Sequence, residues 1–250
     1  MTIKYFSFDV ECAATGPGHN DREACSVSLV DFDGKTLFST AINIESTILS
    51  PLTPITGMTE DDIKKGISFD DAKEKLVSFL GPNAVVVGQS IGNDLAYMKL
   101  TQGIDYHSAI DIAEGFQIRN KKYNNFDHFS LAKEVYAAYG VVMHVAGHTH
   151  DPDEDARYSI RLYRDYLHGS KKRNSPQTRA LRRKMQLHNW QKTWPEELST
   201  PWAGVEGVCS FKFNPSKCRC GQPCIYENGL MTHDEWEERR VARELANAEI

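Results

Sequence analysis

The sequence predicts an α/β fold, a mixed β-sheet with helices on both faces, and three observations predict it. Three strand-like segments succeed one another near the N-terminus (residues 4–10, 26–32 and 36–44), short apolar strands then alternate with helical stretches, and those stretches carry apolar residues at three-to-four spacing. In 4–10 the apolar Phe6, Phe8 and Val10 alternate with other residues, the period of a half-buried strand. Asp33-Gly34 separates the second and third segments, a turn pair that fits an antiparallel meander. Helices are expected over 59–65, where Thr59 precedes Glu60-Asp61-Asp62, and over 68–80, where Ser68 leads Phe69-Asp70-Asp71. A hydroxyl followed by acids caps the free amides of a first turn. Residues 83–87 read as a short buried strand running into a helix from about Ile91, and 108–112 as a further strand. Helices follow over 130–139 and 152–166, the second opened by Pro152, a good first-turn residue.

A chain of 250 residues with 40% apolar and 10% aromatic residues buries one full core and leaves material for a small appendage. The expected division is 1–168 as the main domain, 169–195 as a basic linker or helix, and 196–250 as a small cysteine-rich domain. No charged segment followed by an apolar run opens the chain, and apolar stretches such as 84–87 are far shorter than a membrane span. The expectation is a soluble, intracellular protein, cytoplasmic or nuclear, neither secreted nor membrane-bound.

The net charge of −5 hides an asymmetry. Residues 1–168 carry −9, residues 169–195 carry +8 with no acid at all, and residues 196–250 carry −4. Lys171, Lys172, Arg173, Arg179, Arg182, Arg183, Lys184 and Lys192 make a positive belt between two acidic blocks. Such a belt can track a phosphate backbone by salt-dependent attraction, or can simply be a solvated linker helix. The first six of these residues are the candidate substrate-binding set.

Five residues carry the chemistry: Asp9 and Glu11 in Phe8-Asp9-Val10-Glu11, then Asp94, then His150 and Asp155. Side chains two apart on a strand share a face, so Asp9 and Glu11 point one way while Phe6, Phe8 and Val10 point to the core. Two carboxylates at the end of a central strand repel one another without a cation; on an edge strand they are solvent-facing acids. Asp94 falls in the first turn of the helix after 83–87, where an acid also suits the helix dipole. Asp155 lies inside the helix opened by Pro152, and His150 on the loop before it. Four carboxylates and one imidazole are the components of metal-assisted phosphodiester cleavage if a fold brings them together.

Taken in order, the D-x-E strand, the acid at a strand-to-helix junction and the late H-x4-D resemble the three motifs of the DEDDh 3'-5' exonucleases, DnaQ-like enzymes on an RNase H-like fold. The resemblance spans roughly 4–167, with Asn93-Asp94-Leu95 as the second motif and His150-Asp151-Pro152-Asp153-Glu154-Asp155-Ala156-Arg157 as the third. Its Glu-Asp-Ala-Arg close is similar to the branch of deadenylases and ribosomal-RNA-processing exonucleases, and Ile55-Thr56-Gly57-Met58-Thr59 resembles a segment those enzymes carry between the first two motifs. The resemblance implies two Mg2+ or Mn2+ ions, with Asp9 bridging both, Glu11 and Asp155 completing the first and Asp94 holding the second. It implies a nucleic acid with a free 3' end as substrate and nucleoside 5'-monophosphates as products; a second copy of the chain or other nucleases are the candidate protein partners. His150, with an ordinary pKa of about 6.5, is placed to take a proton from water. His144 and His148 crowd the same stretch, and the four-residue gap to Asp155 selects His150. Many members have a histidine where Gln89 stands, a departure that removes no metal ligand.

The tail poses a separate question. Cys209, Cys218, Cys220 and Cys224 offer four thiolates with turn formers between them, a set that suits one structural Zn2+, with His233 a possible substitute ligand. Free buried thiols are the alternative, and Cys12 and Cys25 read as packed thiols beside strands. Two other classes of function fit parts of the chain: a nucleic-acid-binding module without catalysis, and a zinc-dependent interaction adaptor. The acidic stretch 234–249 reads as a solvated helix. The residues fit RNA and DNA alike, because that choice rests on contacts to the 2'-hydroxyl.

Overall fold

The computed structural model describes residues 2–16, 18, 20–120, 124–144 and 149–198 and, beyond them, the backbone of 204–205, 208–209, 224–226 and 229–231 with the Val208 side chain. The chain runs β1 (Lys4–Ala14), β2 (Arg22–Asp31), β3 (Thr36–Ala41), α1 (Thr53–Thr56), α2 (Glu60–Lys64), α3 (Phe69–Phe79), β4 (Gly81–Gly88), α4 (Gly92–Tyr97) and β5 (Tyr106–Asp111). It continues through α5 (Ile112–Phe116), β6 (Ile118–Asn120), β7 (Asn125–Asp127), α6 (Leu131–Tyr139), α7 (Pro152–Leu162), a π-helical turn (Tyr163–Leu167), α8 (Gly169–Arg173) and α9 (Pro176–Gln191). Short strands β8 (Gly204–Val205), β9 (Val208–Cys209), β10 (Cys224–Tyr226) and β11 (Gly229–Met231) form a small sheet of their own in the order β11-β10-β8-β9. Among the described residues no helix is long and apolar enough to cross a membrane.

The main sheet has the order β3-β2-β1-β4-β5. β1, β2 and β3 form the antiparallel meander that Asp33-Gly34 foretold, and β4 and β5 add in parallel, so the sheet is mixed. The first strand is longer than its alternation suggested and runs on to Ala14; past Ser7, where pairing with β4 stops, it is held by β2, by Asp94 at the Val10 amide and by a bridge from Ala14 to Ser50. A register shift between Glu11 and Cys12 interrupts the β1–β2 ladder, and such a bulge sharpens the local twist.

Each face of the sheet has its own core. On one, Phe6, Phe8 and Val10 of β1 pack with Ala72 and Leu76 of α3 and with Leu95 and Met98 at α4. On the other, Val30 and Val87 of the sheet meet Phe116, Val135 of α6, and Ala156, Ile160 and Leu162 of α7. The capping pattern read from Thr59 is realised as a reciprocal pair, Asp62 N–H donating to Thr59 Oγ1 at 3.2 Å and Thr59 N–H donating to Asp62 Oδ2 at 3.0 Å.

Residues 169–195 are not a free linker over their described length. Leu181 and Met185 of α9 are buried in the second core beside Leu167 and Leu198, each burial contributing about 1.5–3 kcal/mol. The Thr178 hydroxyl donates to main-chain carbonyls of the preceding segment. The basic stretch is the polar side of a helix docked on the body.

Candidate active site

Alternation along β1 decides which side chains reach the site. Phe6, Phe8 and Val10 take one face, so Asp9 and Glu11 share the other, the face that α7 covers. The start of α7 is fixed by its own acids. Asp151 caps it, accepting from the Asp153 amide at 2.9 Å, and Asp153 Oδ1 accepts from the Ser28 hydroxyl at 3.0 Å and the Thr36 hydroxyl at 2.6 Å. Helix α7 is thereby pinned to β2 and β3, and Asp155 is delivered to β1. One oxygen each of Asp9, Glu11 and Asp155 lie within 4.8 Å of one another.

Asp94 arrives from the other side of β1. Where pairing with β4 stops, α4 comes in, and Asp94 Oδ1 accepts the Val10 amide at 3.0 Å. Its carboxylate does the work of a missing strand, and its charge is felt at Asp9, where it is the largest electrostatic influence after burial. Burial first, and the neighbouring acids second, push these carboxyls up: Glu11 to about 8 and Asp9 well above the carboxylate range. Asp94 is also pushed up to about 8 by burial, although the Val10 amide pulls in the opposite direction. Buried acids in mutual repulsion are what a cation relieves, and a donor set of carboxylate oxygens fits Mg2+ or Mn2+.

His150 is set by its backbone. Its amide donates to the Ile55 carbonyl at 2.6 Å, so the segment 55–59 braces the loop that carries the imidazole. That segment turns at Gly57, φ 69°, where a Cβ would fall 2.9 Å from the Thr149 hydroxyl. The Thr56 hydroxyl accepts the Met58 amide at 3.1 Å and holds the turn. His150 Nδ1 lies 3.8 Å from Glu11 Oε1. Burial, and then the adjacent His144, lower its pKa to about 4, which keeps the ring neutral.

His144 enters the site, which the spacing of the motif did not reveal. Its Nε2 is 2.7 Å from Asp155 Oδ1 and its ring stacks on that of His150, centroids 3.8 Å apart and planes 13° apart. Histidine content was the signal available, because the contact depends on the left-handed backbone at His144, which spacing does not encode. His148 lies outside the described residues.

Gln89 has its own partner. Its Nε2 donates to the Phe129 carbonyl at 2.7 Å, which leaves Oε1 facing inward without a donor. The neighbouring Glu134 is fully buried, and both of its oxygens likewise lack a donor. Burial, and then the charge of Asp111, drive the Glu134 carboxyl far above its ordinary value, against the opposing pull of the Gln89 side chain.

The candidate substrate-binding residues divide. Arg182 is committed to structure, since its guanidinium donates twice to the Gly115 carbonyl, with Nε at 2.9 Å. Lys172 donates to the Arg164 carbonyl at 2.6 Å, and Lys184 to Ala137 at 2.8 Å. Lys171, Arg173, Arg179 and Arg183 are exposed. Of the tail cysteines, Cys218 and Cys220 lie outside the described residues, and Cys209 and Cys224 are described in their backbone alone, on β9 and β10. Cys12 and Cys25 are free thiols, Cys25 buried, and burial raises both above the ordinary thiol range.

No family model matches the sequence. An RNA exonuclease 4 of Candida glabrata is 28% identical over 163 residues, 64% of this chain and 59% of that protein. An apoptosis-enhancing nuclease of Rattus norvegicus is 31% identical over 96 residues, 38% of this chain and 29% of that protein. Matches with the RNA exonuclease 4 proteins of Candida glabrata, Gibberella zeae and Debaryomyces hansenii span 59%, 49% and 57% of their lengths, so this chain spans roughly half of its curated relatives. Among solved structures, the Saccharomyces cerevisiae Pan2 pseudoubiquitin hydrolase–RNA exonuclease module in complex with AAUUAA RNA superposes with a TM-score of 0.62 at 18% identity, over 78% of this chain and 33% of that one. The Neurospora crassa Pan2 catalytic unit gives a TM-score of 0.55 at 18% identity, over 77% of this chain and 30% of that one. With its mixed sheet and its helices on both faces, the chain is similar in sequence and in fold to the DEDD-type, RNase H-like 3'-5' exonucleases.

Proposed function

We propose that the chain is a metal-dependent exonuclease that removes nucleotides from the 3' end of RNA and releases nucleoside 5'-monophosphates. The observation that carries this reading is the convergence of Asp9, Glu11 and Asp155 within 4.8 Å, from a strand and a helix far apart in sequence. RNA is favoured by the names of its relatives, which include RNA exonucleases and a small RNA degrading nuclease of Arabidopsis thaliana.

In this reading Asp9, Glu11 and Asp155 would hold one divalent cation, and Asp94 together with Asp9 would hold a second. Divalent cations there supply charge against the scissile phosphate and acidify the attacking water. The chain's own residues do the remainder. His150, kept neutral by burial, accepts the proton of that water, and its loop, braced at Ile55, sets the angle of the ring. Exposed Lys171, Arg173, Arg179 and Arg183 attract the substrate backbone. The four tail cysteines would hold one zinc ion of architectural purpose, a role for which four thiolates are suited.

Digestion of a 3'-labelled RNA oligonucleotide in Mg2+ and in EDTA tests the assignment. Asp9→Ala and Asp155→Ala abolish degradation, a 3' phosphate slows it, and matched single-stranded DNA is cut more slowly. Wild-type rates in both variants overturn the assignment. Loss of activity in His150→Ala with Mn2+ binding retained supports the base; an unaffected rate transfers that role elsewhere.

A further inference from the structure

Beside the carboxylates lies a cluster of different donor chemistry, in which His144, which the exonuclease reading does not use, joins His150 and Asp155, which it does. His144 occupies the left-handed backbone region at φ 56°, a conformation that costs a non-glycine residue on the order of 1 kcal/mol. In that conformation its Nε2 meets Asp155 Oδ1 at 2.7 Å and its ring lies flat on His150. One nitrogen of each imidazole and one oxygen of Asp155 fall within 4.8 Å of one another. The side chains are sheltered, with 15% of His144, 30% of His150 and 8% of Asp155 exposed, so a ligand held there is shielded on most sides yet reachable from solvent.

Donor type decides which ion such a cluster takes. Two imidazoles and one carboxylate make an N2O set, which suits Zn2+ and its borderline neighbours, whereas Mg2+ prefers oxygen alone. Three protein ligands with a fourth position open to water is a common zinc arrangement. Bonds of about 2.0–2.1 Å at a tetrahedral angle require the two rings to leave their stack and turn their nitrogens toward one ion.

We propose that His144, His150 and Asp155 form a binding site for one zinc-class ion, distinct in chemistry from the carboxylate site and overlapping it through Asp155. Occupation by zinc withdraws Asp155 from the hard cations and His150 from proton transfer, so zinc inhibits whatever hydrolysis Mg2+ supports. The inhibition rests on the proposed exonuclease function; the binding does not.

The test is a titration of the full chain with Co2+ and with Zn2+ in excess Mg2+. Cobalt at an N2O site gives visible d–d bands without the near-ultraviolet thiolate band that the cysteine-rich tail would give, so the two sites are separable in one spectrum. His144→Gln is expected to weaken metal binding at this site by about 100-fold or more and to raise the zinc concentration for half-inhibition by the same factor. Cys218→Ser leaves the site intact. Asp9→Asn, which removes a carboxylate ligand and no imidazole, retains it, and this keeps the measurement meaningful should the His144 variant fold poorly. Equal metal affinity in His144→Gln and wild type, or an absence of non-thiolate bands in both wild type and Asp9→Asn, overturns the proposal. Zinc binding with no nuclease activity in the wild type upholds the site and refutes the exonuclease reading instead.

Discussion

The main-chain amide of His150 donates to the carbonyl of Ile55 across 2.6 Å, so the imidazole's place is set by a turn far earlier in the chain. That turn depends on Gly57, whose φ of 69° and contact with Thr149 leave no room for a side chain. Gly57→Ala is expected to displace the His150 loop and cut kcat by tenfold to a hundredfold, the scale at which small misplacements act. Circular dichroism should report an unchanged fold. Equal kcat in variant and wild type would show that the loop is positioned by something else.

Asp94 serves Val10 as well as any cation. Asp94→Ala strands a buried strand amide and should lower unfolding stability by about 1–3 kcal/mol. Asp94→Asn keeps an oxygen for that amide, so its denaturant midpoint should stay near the wild type while activity is lost. A pair of variants equally stable would remove the structural half of this role.

Metal-free protein should become less stable as pH rises. Glu11 and Asp94, with folded pKa values of about 8 against ordinary values near 4, bind more protons in the native state than in the unfolded chain between those limits. In EDTA the melting temperature therefore falls from about pH 5 to pH 8, the window those pKa values define. Mg2+ should restore most at the alkaline end. A melting temperature that rises with pH in EDTA would contradict the burial of these acids.

Glu134 makes the same argument outside the site. Its raised pKa means that the native state holds its proton, and the cost of losing it grows above pH 4.5. Glu134→Gln, neutral at every pH, should gain on the wild type progressively as pH increases, read from paired unfolding curves. No change in the difference between pH 5 and pH 8 would place a charged partner beside Glu134.

Arg182 separates structure from substrate binding. Arg182→Met breaks its hydrogen bonds to Gly115 and should destabilise the protein by about 1–3 kcal/mol while leaving RNA affinity nearly unchanged. Arg179→Ala with Arg183→Ala should do the reverse, weakening binding and flattening its salt dependence.

The parts of this structure visible in the sequence are those governed by short-range rules. Alternation at Phe6, Phe8 and Val10 gave the strand, and hydroxyl caps at Thr59 and Ser68 gave helices close to their observed starts. Asp9 and Glu11 were assignable to one face for the same reason. What escaped depends on long-range closure. The role of Asp94 as acceptor for Val10 follows from β4 ending early, which no local pattern encodes. His144 reaches Asp155 through a left-handed residue in a loop, and histidine spacing says nothing about backbone handedness. Helix α9 looked like a charged linker because its buried Leu181 and Met185 are few among many cations, and its core-facing side emerges only against α6 and the π-helical turn.

The bond between Asp94 and the Val10 amide also bears on how such a protein evolves. Aspartate and asparagine codons differ by one nucleotide, and asparagine can still accept that amide. A lineage could thus silence the chemistry in a single step and keep the fold whole, free to bind its former substrate without consuming it. At Asp9 and Glu11, whose charges crowd one another, the same replacement removes repulsion as well. On the exonuclease reading the scaffold makes inactive descendants easy to reach, and an asparagine at the position of Asp94 in a relative would mark a protein that kept the fold and gave up the chemistry.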